Sequence, residues 1–162
     1  MQRKERQLVV FTLGKEEYGV DILQVQEIKR LTEITRVPNA PPFVEGVINL
    51  RGNIIPVIDL HKRFGLGAFE PGPESRIVIV TVRDITLGIM VDSVSEVLTL
   101  EEAAIAPPPP LVAGIEASFL EGIGRLDDRL LILLNMDRIL GLEEVAAAQE
   151  FQNKAAEAGA GR

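Results

Sequence analysis

A 23-residue segment occurs twice in this chain, and any fold it adopts has to accommodate both copies. Phe43–Gly65 reads FVEGVINLRGNIIPVIDLHKRFG and Phe119–Gly141 reads FLEGIGRLDDRLLILLNMDRILG. Without a gap they share Phe43/Phe119, Glu45/Glu121, Gly46/Gly122, Leu50/Leu126 and Gly65/Gly141, and most other pairs set apolar against apolar. An earlier pair repeats in the same order. Leu8–Leu31 aligns with Ile77–Leu100, so that Thr12, Gly19, Val25 and Glu27 fall on Thr81, Gly88, Val94 and Glu96. Convergence on a strand-turn-strand pattern would imitate such matches, but two blocks in the same order point to duplication. The chain reads as two similar halves, roughly 1–66 and 67–142, followed by a tail at 143–162.

Each half has the pattern of short strands. Leu8–Leu13 predicts a strand, Gly14 and Lys15 a turn, and Glu17–Val20 the returning partner. Ile22–Glu27 leaves room for a helical turn before the next strand. Val44–Leu50 and Asn53–Ile58 form a second hairpin about Arg51 and Gly52. Pro56 has no N–H for a ladder and is expected at an edge or bulge. Asp59–Phe64 predicts a helix of one to two turns, capped by Asp59 and stopped by Gly65, and Asn135–Leu140 repeats it. In the second half Arg76–Val82 and Thr86–Val91 are strands, and Pro107–Pro110 force an extended, exposed loop. Leu142–Ala156 suits a surface helix, and the closing Ala158–Arg162 is expected to fray. Four or five short strands per half, without a long helix, predict an all-β architecture with minor helices. Two small closed barrels side by side fit best, because closure removes edges that would pair at random.

Composition narrows the function. The 162 residues make about one domain, with enough apolar sequence (46%) for a real core. There is no Cys, which excludes disulfides, thiolate metal sites and cysteine nucleophiles. With no Trp, six Phe and one Tyr, the core must be packed by Val, Ile and Leu. A net charge of −7 argues against nucleic acid as the main partner, which needs a basic groove and exposed aromatics. The charge is unevenly spread: residues 1–66 hold ten Lys/Arg against eight Asp/Glu, net +2, and residues 67–162 seven against sixteen, net −9. Chance variation on solvated surfaces gives such a split, and so does a surface that steers a partner. The charged start, Met1–Arg6, runs straight into strand-like sequence, and no apolar stretch approaches the ~18 residues of a membrane span. A cytoplasmic protein without membrane insertion is expected.

Catalysis has little to build on. His61 is the only histidine, which removes two-histidine relays and His-rich metal sites. Beside Lys62 and Arg63 it is expected to be an exposed helix residue. Ser75, Ser93, Ser95 and Ser118 lack a nucleophile elbow. The glycines of Gly46–Gly52 and Gly122–Gly124 match neither a phosphate loop nor a dinucleotide fingerprint. Neighbouring acids such as Asp127 and Asp128, or Glu101 and Glu102, sit where turns point into water, and a carboxylate hydrolase would need acids converging in a cleft. No catalytic residue, cofactor or metal site is expected; the chain reads as a binding protein.

One family matches these segments. Phe11–Ile28, FTLGKEEYGVDILQVQEI, resembles the N-terminal signature of CheW-like domains, and Gly46–Leu60, GVINLRGNIIPVIDL, resembles their most distinctive motif. Gly88–Leu98 and Arg129–Asn135 continue the set in order, so that the resemblance covers about residues 7–142. It implies two five-stranded, SH3-like β-barrels joined across an apolar seam, without enzymatic activity. It also implies a chemotaxis adaptor that couples chemoreceptors (methyl-accepting chemotaxis proteins) to the histidine kinase CheA. The partners would be the regulatory domain of CheA and the cytoplasmic tip of the receptors, with recruitment to membrane-associated receptor arrays. Within the family, CheV carries an added receiver domain for which this chain has no room, and a CheA fragment would bring kinase segments.

The resemblance associates Val25, Glu27 and Arg51 with receptor and kinase coupling, and Gly46, Val94 and Val97 occupy matching places. Each also has a plainer reading: the three valines as core, Glu27 as a solvated strand residue, Gly46 as a backbone requirement. Glu27 is matched across the repeat by Glu96, but Arg51 by Asp127, so the turn itself does not require an arginine. A groove between barrels is apolar along its floor and polar at its rim, which suits an amphipathic helix. Val25 and Val94 would line the floor, and Glu27 and Arg51 the rim.

Overall fold

A computed structural model describes residues 5–39, 42–112 and 115–139; the tail at 143–162 and the helix expected at Leu142–Ala156 lie outside them. The first hairpin is β1 (Glu5–Leu13) and β2 (Glu16–Asp21). β3 (Val25–Arg30), β4 (Val44–Leu50), β5 (Asn53–Asp59) and the short helix α1 (Leu60–Phe64) follow. A second hairpin, β6 (Arg76–Val82) and β7 (Ile85–Val91), leads to β8 (Ser93–Glu101). β9 (Ile105–Ala106), β10 (Leu111–Val112) and β11 (Ile115–Glu116) are two-residue strands, before β12 (Leu120–Leu126), β13 (Arg129–Leu134) and α2 (Met136–Ile139). Short 3₁₀ turns occupy Ile22–Gln24, Glu102–Ala104 and Ala117–Phe119.

The long strands form two sheets, ordered β3-β6-β7-β5-β4 and β8-β1-β2-β13-β12-β9. Each closes on itself. The chain leaving β3 returns so that Thr35 exchanges both backbone hydrogen bonds with Val47 of β4, at 2.9 and 2.8 Å. The chain leaving β8 returns as β9, which pairs with β12. The all-β, two-barrel architecture is therefore as expected, one barrel having five strands and the other a sixth, two-residue one.

The boundary between barrels is not where the halves meet. One barrel is contiguous, made of strands between Val25 and Val91. The other is split, made of β1 and β2 together with the strands after Asp92. The expected division at 66/67 is corrected accordingly: each half lends its first hairpin to the barrel of the other. The registers show that this exchange keeps equivalent pairings. β3 meets β6 as Val25↔Val80 and Glu27↔Ile79, and β8 meets β1 as Val94↔Phe11 and Glu96↔Val10. These are the same pairs in repeat-equivalent positions, with a bulge at the same place, at Gln26 and at Ser95. The parallel pairing of Val57 with Gly88 likewise equals that of Leu133 with Gly19.

Alternation along the strands shows where the cores lie. Ile77 and Ile79 of β6 point into the contiguous barrel with Ile48, Ile55 and Val57. Leu8 and Val10 of β1 point into the split barrel with Leu100, Leu131 and Leu133. The opposite faces, Val78, Val80 and Val82 on β6 and Val9, Phe11 and Leu13 on β1, join one larger cluster between the barrels. Burial on both faces is why these strands read as continuous apolar runs and not as alternating ones. Aromatic rings mark the seam: Phe11, Tyr18, Phe64 and Phe119 follow one another at centroid separations of 5.9, 6.3 and 5.8 Å.

Pro56 sits at neither an edge nor a bulge. It pairs with Val47, whose N–H and C=O both turn away to Thr35, and the ladder to β7 begins only at Val57. No donor is needed there. α1 is built as the sequence predicts: the Asp59 carboxylate accepts from the Lys62 N–H at 3.2 Å, and Gly65 ends the helix at φ 70°. Among the described residues no helix is long and apolar enough to cross a membrane.

Candidate partner interface

Glu27 stands on β3 just past the bulge at Gln26, and Arg51 stands in the tight turn between β4 and β5. Barrel closure brings them together: the Arg51 guanidinium donates to the Glu27 carboxylate, with Arg51 71% and Glu27 27% exposed. A cavity of about 320 Å³ opens beside Arg51, lined also by Gln26, Asn53, Asp84 and Thr86. Gln26 is held there by a hydrogen bond from its amide to the Thr81 hydroxyl.

Val25 and Val94 occupy equivalent places on β3 and β8, half-buried against the seam cluster. They are margin residues, neither sealed core nor free surface. Val97 is 54% exposed, so its core reading is corrected; a strand that faces water on alternate positions leaves it outside. Gly46 is buried where the barrel closes, and a Cβ on it would stand 2.3 Å from the Thr35 carbonyl oxygen. Its place is therefore internal, which supports the backbone reading of Gly46. Gly122 repeats that position, with Ile105 and Ala106 in the way of a Cβ.

The repeat reveals counterparts that residue-by-residue matching missed. Ile28, equivalent to Val97, is also exposed, at 41%. Glu96 has an arginine partner too, but at Arg129, two residues beyond the position aligned with Arg51. Arg129 donates to Glu17 at 3.0 and 2.7 Å and to Glu96 at 3.2 Å. The hydrogen bond with Glu17 is the main reason its guanidinium is held above its ordinary pKa. A gap-free alignment hides this pair, whereas looking for any arginine in the second hairpin tip finds it.

His61 is the other correction. It is buried, not exposed, because α1 turns Leu60, His61 and Phe64 inward and leaves only Lys62 and Arg63 outside. Arg63 in turn covers the seam edge, its guanidinium over the rings of the repeat-related Phe43 and Phe119 at 5.9 and 4.8 Å. Among the described residues no group of three His, Asp or Glu is placed to hold a metal ion.

Each closed barrel carries an acid on an edge strand paired with an arginine from a hairpin at or next to its turn, an arrangement suited to binding a partner. The family model for the CheW-like domain matches residues 7–144. The chemotaxis protein CheW of Klebsiella aerogenes is 40% identical over 87% of this chain and 85% of its own length. That of Bacillus subtilis is 37% identical over 87% and 90%. The crystal structure of the scaffolding protein TtCheW from Thermoanaerobacter tengcongensis superposes with a TM-score of 0.80 at 43% identity, covering 88% of this chain and 92% of that one. The chain belongs to the CheW-like family. It is a chemotaxis scaffold of signal transduction and not an enzyme.

Proposed function

We propose that this scaffold couples the cytoplasmic tip of a chemoreceptor to the regulatory domain of the histidine kinase CheA, within membrane-associated receptor arrays. The observation that carries the reading is the exposed Glu27–Arg51 pair beside half-buried Val25. An apolar margin flanked by paired charges suits a helix with one apolar stripe, the charges giving orientation more than affinity. Val94 offers the same apolar element on the split barrel, and exposed Val97 and Ile28 extend it. The test is direct. The purified chain, a receptor helical-hairpin fragment and the CheA regulatory domain are mixed pairwise and together, and the complexes are sized by sedimentation. Two binary complexes and one ternary complex are expected. Binding of neither partner, or strict competition between them, would remove the coupling role.

A further inference from the structure

Among the described residues the chain passes between the barrels twice, and the two crossings are built differently. β2 runs into β3 through the turn Ile22–Gln24, whereas β7 runs into β8 through Asp92 alone. Leu23 and Asp92 are equivalent in the repeat, yet Leu23 is 91% exposed while Asp92 is gripped on three sides. Its N–H donates to the Thr12 carbonyl at 3.0 Å. One carboxylate oxygen accepts from the Gly14 N–H. The other meets His61 Nε2 at 2.9 Å. Thr12 and Gly14 belong to the split barrel; His61, on α1, continues β5 of the contiguous one.

The repeat-related contact makes the contrast plain. There Asp137 of α2 takes the place of His61 and Arg83 of the β6–β7 turn takes that of Gly14. They face each other at 3.6 Å with side chains 49% and 40% exposed. An exposed pair at that distance is weak and screened by salt. His61 is 6% exposed, with its ring edge-on to Phe69. Its Nδ1 is buried without a hydrogen-bond partner. An apolar side chain would avoid that penalty, so packing alone does not account for a histidine here.

We propose that His61, acting through Asp92, is the positioning residue that fixes the angle between the barrels, and with it the shape of the margin a partner helix enters. The link to a partner rests on the function proposed above; the link to barrel angle does not. A single-residue crossing is a pivot, and the contact between the buried imidazole and the part-exposed Asp92 carboxylate holds it at one setting. The exposed Arg83–Asp137 pair follows that setting and does not determine it.

The chain has no cysteine, so Arg30→Cys with Thr99→Cys, on equivalent exposed positions of β3 and β8, carries a spin-label pair without background. Electron–electron distance measurement is expected to give one narrow peak in this parent. His61→Leu, which fills the space but offers no donor, broadens or shifts the peak. His61→Gln, whose amide nitrogen reaches the place of Nε2, restores it, and Arg83→Ala leaves it unmoved. Without the labels, affinity for a receptor helical-hairpin fragment falls roughly three- to thirty-fold in His61→Leu and returns in His61→Gln. Should His61→Leu not fold, His61→Asn, polar but too short to reach Asp92, is expected to show the same broadening. An unchanged peak in the folded Leu or Asn variant, or an equal shift in Arg83→Ala, overturns the proposal. A shifted peak with no receptor binding at all leaves the positioning role and removes the receptor reading instead.

Discussion

Arg51 holds a left-handed backbone conformation, φ 50°, that Asn, Asp or Gly adopts at less cost. Its counterpart Asp127 has nearly the same angle, φ 48°, so this turn geometry does not select for arginine. The side chain is there for what it meets. Arg51→Ala is expected to leave stability within about ±0.5 kcal/mol by urea unfolding while weakening receptor-dependent kinase coupling. Severe destabilisation, or coupling at the parent level, would refute the assignment. Tyr18 makes a second test. It is fully buried in the seam with its hydroxyl unpartnered, and burial pushes its pKa up to about 12. The unfolded chain gives up this proton first, near its ordinary value of 10. The stability tied to Tyr18 is therefore fully present below pH 10 and is lost as pH rises toward 12. As the chain has one Tyr and no Trp, absorbance at the tyrosinate band follows this residue alone. Native titration near pH 10 would contradict the buried placement. The resemblance singles out Glu27 and Arg51 one by one, but that the fold pairs them was not legible. Nor was the burial of His61: its basic neighbours suggested water, whereas α1 turns the ring inward against Phe69 and toward Asp92.

At the scale of elements, strands, hairpins and the α1 caps were legible because apolar runs and turn residues are local signals. Pro56 was half legible, since its missing donor is read from sequence but the direction of Val47 toward Thr35 is not. The exchange of hairpins was hidden for a definite reason. β1-β2 and β6-β7 are repeat-equivalent and meet equivalent edges, so nothing local says which edge each joins. Barrel closure was equally silent, and Gly46 is its signature. Gly46→Ala places a methyl carbon 2.3 Å from the Thr35 oxygen, and the backbone there must shift. A loss of about 1–3 kcal/mol is expected in urea unfolding. Gly72→Ala, which would meet nothing within 4 Å and has no positive φ, is the control and should change little. Equal effects of the two would deny the closing contact.

The charge imbalance survives the redrawn boundary. The contiguous barrel, taken as residues 25–91, holds eight Lys/Arg against seven Asp/Glu, net +1. The split barrel, residues 5–24 with 92–139, holds five against thirteen, net −8. If the contiguous barrel meets an acidic surface of the CheA regulatory domain, this asymmetry steers that approach. Screening over about 8 Å at ~0.15 M salt confines the effect mainly to association rate. Changing Lys29, Arg30 and Arg36 to Glu should slow association with the regulatory domain, and the parent rate should fall with salt. A rate flat in salt and unaltered by the charge reversal would return the imbalance to chance. Coupling itself is tested most directly by reconstitution, measuring CheA autophosphorylation with receptor and scaffold added separately and together. Kinase activity is expected to rise only when CheA, receptor and this chain are all present, and the chain alone is expected to turn over no ATP. Receptor control of the kinase that is indifferent to the chain, or ATP turnover by the chain itself, would contradict the coupling role.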